Sequence, residues 1–199
     1  MEQTDHRFRG GNLDESLTAA CTGLRAHVGE IQYEILEEDR DGVEIEARVD
    51  PVAVLGLFLS ETFKAGDLDL QVRLSDGPEA LGGDLCGGDF RVLTAGLGKG
   101  LDALQYLCNR VLNRRLQDHV PVHLDGEGYK ERRAVKLQDE AESAADSAMQ
   151  QRGAVTLGPY TPAVRREIHL ALADDPDVET FSDGEGFLKR IVVRPLGRR

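Results

Sequence analysis

The chain has 199 residues, of which 40% are hydrophobic and 30% charged, and its formal net charge at pH 7 is -12. These fractions are those of a globular protein, and no apolar run reaches the ~20 residues of a membrane span. The negative charge argues against nonspecific nucleic-acid binding, which needs a basic surface. Because the segment from Met1 to Asn12 lacks the basic-then-apolar order of a secretion signal, the sequence predicts a cytoplasmic protein without membrane insertion.

The charge is unevenly distributed along the chain. Residues 1–90 carry 7 Lys/Arg against 20 Asp/Glu, whereas residues 91–199 carry 17 against 16. Such asymmetry between halves indicates a binding function. The three cysteines, Cys21, Cys86 and Cys108, are too widely spaced for a disulfide framework or a zinc site, so we expect them to be small core residues.

The first 50 residues predict a small α/β module. Apolar residues from Leu17 to Val28 follow helical spacing, which predicts a helix over 13–29 that stops at Gly29. Residues 31–36 and 43–49 have period-two character around an acidic turn, and they predict a hairpin.

The next segment alternates helices and strands. Pro51 opens a helix that ends at Gly66, and strands are predicted over 68–74, 80–86 and 120–124. A short helix over 89–94 precedes a glycine-rich loop at 95–100, which opens into a second helix over 101–116. The expected buried stripe of that helix is Leu101, Leu104, Cys108, Val111, Leu112 and Leu116.

The C-terminal third predicts two helices and two strands. Residues 129–151 form a polar, Ala-rich helix that stops at Gly153. Thr161-Pro162 begins the second helix. The expected core face of this helix is Val164, Ile168, Ala171 and Leu172. Strands are predicted over 178–181 and 188–193 around a glycine-containing turn.

The loop at 95–100 could bind phosphate. A glycine-rich turn that runs into a helix N-terminus presents backbone N–H groups and the positive end of the helix dipole. The loop has neither the Lys-Ser/Thr of a Walker loop nor the glycine spacing of a dinucleotide fingerprint. A tight turn without a ligand explains the loop alone equally well.

The element order around the loop is that of a type II KH domain. Residues 87–116 resemble the KH core of the bacterial Jag family of KH and R-3-H single-stranded nucleic-acid-binding proteins, most specifically at Leu101–Leu107, LDALQYL. The resemblance continues through 113–115 and 125–133. It implies a Gly-x-x-Gly loop that clamps a nucleic-acid backbone. Those positions are Ala95, Gly96, Leu97 and Gly98, followed by Lys99. The first glycine and the usual basic middle pair are thus absent.

A second candidate site is Arg165 with His169, which share one face of a helix at i and i+4. A guanidinium can bind a phosphate through two parallel hydrogen bonds, and an imidazole can bind phosphate or stack on a base. Residues 162–194 resemble the R-3-H domain, including its defining Arg and His. Arg166, Lys189 and Arg190 complete the candidate site. The alternative is a structural pair, in which Arg165 contacts Asp183 or Glu185 and His169 is buried.

The sequence therefore predicts an α+β fold: a three-stranded type II KH-like domain with helices on one face, followed by a small α/β R-3-H domain. The predicted parts are an N-terminal module at 1–50, the KH-like domain at 51–126, a connecting helix at 127–152 and the R-3-H domain at 153–199. The five histidines show no metal-ligand spacing, and no nucleophile motif is present. We expect no cofactor, no metal and no enzyme activity.

The function expected from the resemblance is binding of single-stranded RNA or DNA, most simply RNA, by a post-transcriptional regulator. The family also implies a link to cell-envelope and division control. A second KH protein or another copy of the chain stays open as a further partner. The alternative is a protein-interaction adaptor whose KH domain has lost its nucleic-acid ligand and whose acidic N-terminal half docks a partner.

Overall fold

The computed structural model describes residues 6–116 and 119–197. They divide into two compact units. The first comprises Met1–Phe90 with Ala103–Leu124, and the second comprises Arg91–Asp102 with Asp125–Arg199. Among the described residues, no helix is long and apolar enough to cross a membrane. Within the same ranges, no group of His, Cys, Asp and Glu side chains is placed to hold a metal ion.

The first unit begins with a helix on a small antiparallel sheet. Its elements are β1 (His6–Gly10), α1 (Leu13–Leu24), a 3-10 turn (Val28–Glu30), β2 (Ile31–Asp39) and β3 (Gly42–Val49), with strand order β1-β3-β2. The hairpin of β2 and β3 is as predicted, whereas β1 is not. Helix α1 ends at Leu24 because Arg25 adopts a left-handed conformation with φ 53°, so the prediction that the helix continues to Gly29 is wrong. Ala20 and Ile45 are both fully buried in this core.

The rest of the first unit has the KH-like element order. Its elements are α2 (Pro51–Ala65), β4 (Gln71–Asp76), β5 (Leu81–Cys86), most of α3 (Phe90–Arg115) and β6 (Val122–Asp125), with strand order β4-β5-β6. Side chains of α3 hold β6: Asn109 accepts from the Val122 N–H at 3.0 Å, and Gln105 accepts from the Leu124 N–H at 2.9 Å.

The second unit has three strands and two further helices. Its elements are α4 (Tyr129–Gln151), β7 (Val155–Tyr160), α5 (Pro162–Ala171), β8 (Val178–Asp183) and β9 (Lys189–Pro195), with strand order β7-β9-β8. Leu137 and four alanines of α4 lie in one core with Ile168, Ile191 and Val193. Alanines let a helix approach its neighbours closely, so the segment that the sequence marked as a connecting helix is part of this core.

The fold class predicted from the sequence is confirmed: the chain is mixed α/β, with five helices and three small sheets in the part that the structure describes. Further details differ from the predictions. Strand β7 was not predicted, and Ala171 is exposed. Of the three cysteines, Cys108 is buried as expected, whereas Cys21 is half-buried and Cys86 is exposed. Cys86 lies at the end of β5, where side chains alternate between the two faces of the sheet, and its side chain points away from the core side of Leu85.

Candidate nucleic-acid interface

Helix α5 carries both defining residues of the candidate site. It begins after Thr161, whose hydroxyl accepts a hydrogen bond from the Val164 N–H at 3.4 Å. Val164 and Ile168 are buried in the core of the second unit. Arg165 and His169 each follow one of these core residues, so they lie at the border of the buried face and are half-buried.

Two hydroxyl groups of strand β8 meet this pair. The Arg165 guanidinium donates from Nη1 to the Ser182 Oγ at 2.7 Å. The His169 Nδ1 lies 2.6 Å from the Thr180 Oγ1, and its Nε2 lies 3.3 Å from the Ser182 Oγ. Thr180 and Ser182 alternate along β8 and pair with Val193 and Ile191, so they share the sheet face on which the core lies. The four side chains form one polar cluster, which we call the α5–β8 face.

The sequence did not identify Thr180 and Ser182 as site residues. The strand predicted from the sequence ends at 181 and leaves Ser182 in the turn, whereas β8 runs to Asp183. The structural alternative named Asp183 or Glu185 as the partner of Arg165; the partner found is Ser182, and both Arg165 and His169 bond to strand β8 as a structural pair would. A period-two pattern of hydroxyl residues at 180 and 182 was the available signal.

The electrostatics of the α5–β8 face favour a neutral imidazole. Burial, followed by the nearby charge of Arg165, lowers the pKa of His169 below its ordinary value of 6.5. A neutral imidazole has one N–H donor and one acceptor nitrogen, and hydroxyl groups can partner either. Arg165 is therefore the positive charge of this cluster at pH 7, and its Nε has no hydrogen-bond partner among the described residues.

The basic residues of β9 divide between the two faces of the sheet. Lys189 lies two residues before the buried Ile191, so strand alternation puts it on the side of Arg165 and His169. Arg190 pairs with Asp183 in the register and lies on the opposite side. The exposed Arg166 neighbours Arg165 on α5. Lys189 and Arg166 are thus the predicted residues that extend the α5–β8 face.

The loop of the KH-like element order interrupts helix α3. Ala95 is extended, with φ -59° and ψ 147°, and the next three residues are left-handed, with φ of 60° at Gly96, 64° at Leu97 and 77° at Gly98. Ala therefore fits the first position of the motif without strain. The left-handed conformation costs a residue with a side chain ~1–2 kcal/mol, which applies to Leu97.

The loop is exposed over only part of its length. Ala95, Gly96 and Lys99 are exposed, whereas Leu97 is half-buried and Gly98 is buried. Leu97 and Gly98 of the candidate phosphate-binding loop therefore do not face solvent. The Leu97 side chain packs against the core of the second unit. A Cβ on Gly98 would lie 2.8 Å from the Tyr129 ring and 2.9 Å from the Arg133 Nη1.

Arg133 of helix α4 is the residue at this loop that the sequence did not identify. Its side chain is only 5% exposed. Its Nη1 donates to the Leu97 carbonyl at 3.2 Å and to the Asp102 Oδ1 at 3.1 Å, and its Nη2 donates to the Glu167 Oε1 at 2.6 Å. Burial opposes the charged form, but the two carboxylates outweigh it and raise the pKa of Arg133.

Comparison with known proteins agrees with this architecture. Residues 135–195 match the model of the R-3-H domain. A protein named RNA-binding protein KhpB from Clostridium symbiosum is 30% identical over 193 residues, which cover 91% of this chain and 87% of that protein. A second protein of that name, from Bacillus subtilis (strain 168), is 23% identical over 92% of this chain and 95% of its own length.

A third protein of the same name, from Lactiplantibacillus plantarum, is 38% identical over 96 residues, which cover 48% of this chain and 30% of that protein. The R-3-H match includes Arg165, His169 and both hydroxyl residues of β8. Since the similarity to the Clostridium symbiosum protein extends over nearly the whole length of both chains, this chain belongs to the Jag family, whose relatives here carry the name KhpB.

Proposed function

We propose that this protein binds single-stranded nucleic acid, RNA in particular, through the α5–β8 face. The observation that carries the proposal is the cluster of Arg165, His169, Thr180 and Ser182, in which hydroxyl groups orient a guanidinium and a neutral imidazole. The R-3-H match and the RNA-binding names of the relatives support RNA as the ligand.

The chemistry of the face fits a phosphate with an adjacent base. Arg165 uses one N–H group on Ser182, and a guanidinium has five, so donors remain for a phosphate. The half-buried imidazole of His169 offers a ring edge and face to a base. Lys189 and Arg166 add cations next to it, which strengthens binding through counterion release. In this proposal Arg190 is an outer contact, and the loop residues Ala95 to Lys99 lie outside the binding face of the wild-type protein.

The proposed biological role is that of a non-catalytic, cytoplasmic, post-transcriptional regulator of bacterial RNA. It follows from the RNA-binding names of relatives that match the chain along nearly its whole length. Another KH protein or a second copy of this chain is proposed as a further partner. Light scattering on the purified protein, with and without RNA, tests whether a second copy of this chain binds.

The test is a fluorescence anisotropy titration of a labelled single-stranded RNA at two salt concentrations. Arg165→Ala/His169→Ala should weaken binding by roughly 100-fold, as expected for one charged hydrogen bond and one stacking contact. The salt slope should fall by about one, because one phosphate contact is lost. The matched control is His6→Ala/Arg7→Ala, which removes the same residue types from the exposed strand β1. Equal affinity of the two variants would rule the proposal out.

A protein-interaction adaptor is the second candidate, and strand β2 favours it. Tyr33 and Ile35 are 39% and 48% exposed, although they pair with the buried Ala47 and Ile45 of β3. Acidic residues follow them along the same strand, so this surface suits a basic, partly apolar partner. Wild-type protein that binds no single-stranded RNA at low salt would favour the adaptor.

A further inference from the structure

The conformation of the loop Ala95–Gly98 needs an explanation outside the loop. Three consecutive left-handed residues separate the two helical parts of α3, and the middle one is Leu97, with φ 64° and ψ 36°. A residue with a Cβ persists in this conformation only where its surroundings hold it. The contacts of Leu97 and Gly98 supply that restraint.

Helix α4 covers the loop from one side. The Tyr129 Oη donates to the Thr94 carbonyl at 3.2 Å, just before the loop. The Arg133 Nη1 donates to the Leu97 carbonyl at 3.2 Å, and Gly98 lies against both of these side chains. The Leu97 side chain is anchored in the core of the second unit. Other parts of the second unit thus cover Leu97 and Gly98.

Arg133 joins this closed loop to the helix that carries the α5–β8 face. Its guanidinium binds Asp102, in the helix that follows the loop, and Glu167, which lies between Arg165 and His169 on α5. One buried side chain thereby fixes the loop carbonyl, the start of the next helix and helix α5. Breaking a buried ion pair by removing one partner leaves an uncompensated charge, so this arrangement is held strongly.

We propose that Arg133 is a positioning residue that sets the length of the RNA-binding site. Together with the packing of Leu97 on the core, it holds the loop closed, so that Leu97 and Gly98 cannot receive a nucleic-acid backbone and binding is confined to the α5–β8 face. Release of the loop frees Leu97 and Gly98 for a second backbone contact next to the exposed Lys99. This inference rests on the proposed function, because it assumes that the α5–β8 face binds RNA.

The first variant removes the apolar anchor of the loop without removing a buried charge. Leu97→Gly deletes the apolar anchor and accepts the left-handed backbone, since glycine adopts it freely. It leaves the ion pairs of Arg133 with Asp102 and Glu167 in place. Lys99→Ala, at an exposed position, then reports whether the loop contacts the RNA backbone. The probe is a labelled oligouridine, titrated over a series of salt concentrations.

In the wild type, Lys99→Ala should leave the salt slope unchanged. In the Leu97→Gly background the slope should be steeper by about one, and Lys99→Ala should remove that increment. Arg133→Lys should change the slope in the same direction, because an ammonium cannot bridge three acceptors in the geometry of a guanidinium. The matched control is Arg132→Lys: Arg132 is exposed and also donates to a backbone carbonyl, that of Glu127, and its variant should keep the wild-type slope.

Three results would overturn the proposal while the function stands: a slope that Lys99→Ala already lowers in the wild type, a Leu97→Gly variant that binds with the wild-type slope, or an Arg133→Lys variant that does so. If the wild type does not bind oligouridine, the proposed function fails. In that case, binding of oligouridine by Leu97→Gly would still support a closed loop in the wild type. A Leu97→Gly variant that also fails to bind would refute the closed loop.

Discussion

The Arg165 guanidinium donates to the Ser182 hydroxyl at 2.7 Å, across 17 positions of the chain. The same hydroxyl oxygen lies 3.3 Å from the His169 Nε2. One serine at the edge strand β8 thus orients both residues that define the R-3-H motif. The motif depends on a strand residue as well as on the helix that carries its Arg and His.

Replacing this serine should weaken RNA binding while the charge of the site stays the same. Ser182→Ala removes the hydroxyl that contacts both Arg165 and His169. One hydrogen bond has a net contribution of about 0.5–1.5 kcal/mol, so affinity should fall by at least ~2-fold, with an unchanged salt slope. Ser182→Thr keeps the hydroxyl and should bind like the wild type. If the alanine variant binds RNA with wild-type affinity, the Ser182 hydroxyl does not contribute to RNA binding by orienting Arg165. Anisotropy titrations of the three proteins measure this.

His169 should make the stability of the protein depend on pH. Since its folded pKa lies below 6.5, the unfolded chain binds a proton more readily than the folded one. The contribution of His169 is therefore fully present above pH 6.5 and is lost as the pH falls toward the folded pKa. Urea denaturation measures the free energy of unfolding at pH 7.5 and at pH 5. The decrease between the two should be smaller for His169→Gln than for the wild type. The control is His123→Gln, at an exposed position, and its free energy of unfolding should decrease as much as that of the wild type. Equal decreases in all three proteins would contradict the prediction.

A positive charge at Leu97 should destabilise the second unit. Leu97→Arg places a charged side chain where an apolar one packs against the core and keeps the strained left-handed backbone, so we expect a loss of ~1–3 kcal/mol. Ala95→Arg, in the same loop, is exposed and has an ordinary extended backbone, and it should change stability by less than ~0.5 kcal/mol. Thermal melting measures both. Equal melting temperatures would mean that Leu97 contributes nothing to the core.

The cysteines should differ in their reaction with a thiol reagent. Cys86 is exposed, whereas burial raises the pKa of Cys108 to about 12, so Cys108 has almost no thiolate at pH 8. In the native protein Cys86 should be modified first and Cys108 only on unfolding. Cys86→Ser should remove the fast phase. Mass spectrometry of peptides measures the modification of each cysteine. If Cys108 of the native protein reacts as fast as Cys86, its buried placement is wrong.

The sequence alone determined the order of the main elements and the helix that bears the site. Val164 and Ile168 follow a helical period after a Thr-Pro start, which is a local pattern, and that pattern puts Arg165 and His169 on a common face. The resemblance to the Jag family also rested on contiguous residues, and it extended to the fold class. Local periodicity and contiguous motifs are visible without any knowledge of distant contacts.

Only the tertiary structure decided what surrounds those residues. Ser182 reaches Arg165 because β8 continues two residues beyond the apolar pattern, and Arg133 reaches Leu97 across 36 positions of the chain. The sequence showed Leu97 as an apolar residue in a glycine-rich loop, and Arg133 as one of several cations on a polar helix. The chain packs the first into a core and buries the second between two carboxylates. A side chain's burial depends on which distant surfaces meet around it, and no local pattern specifies that.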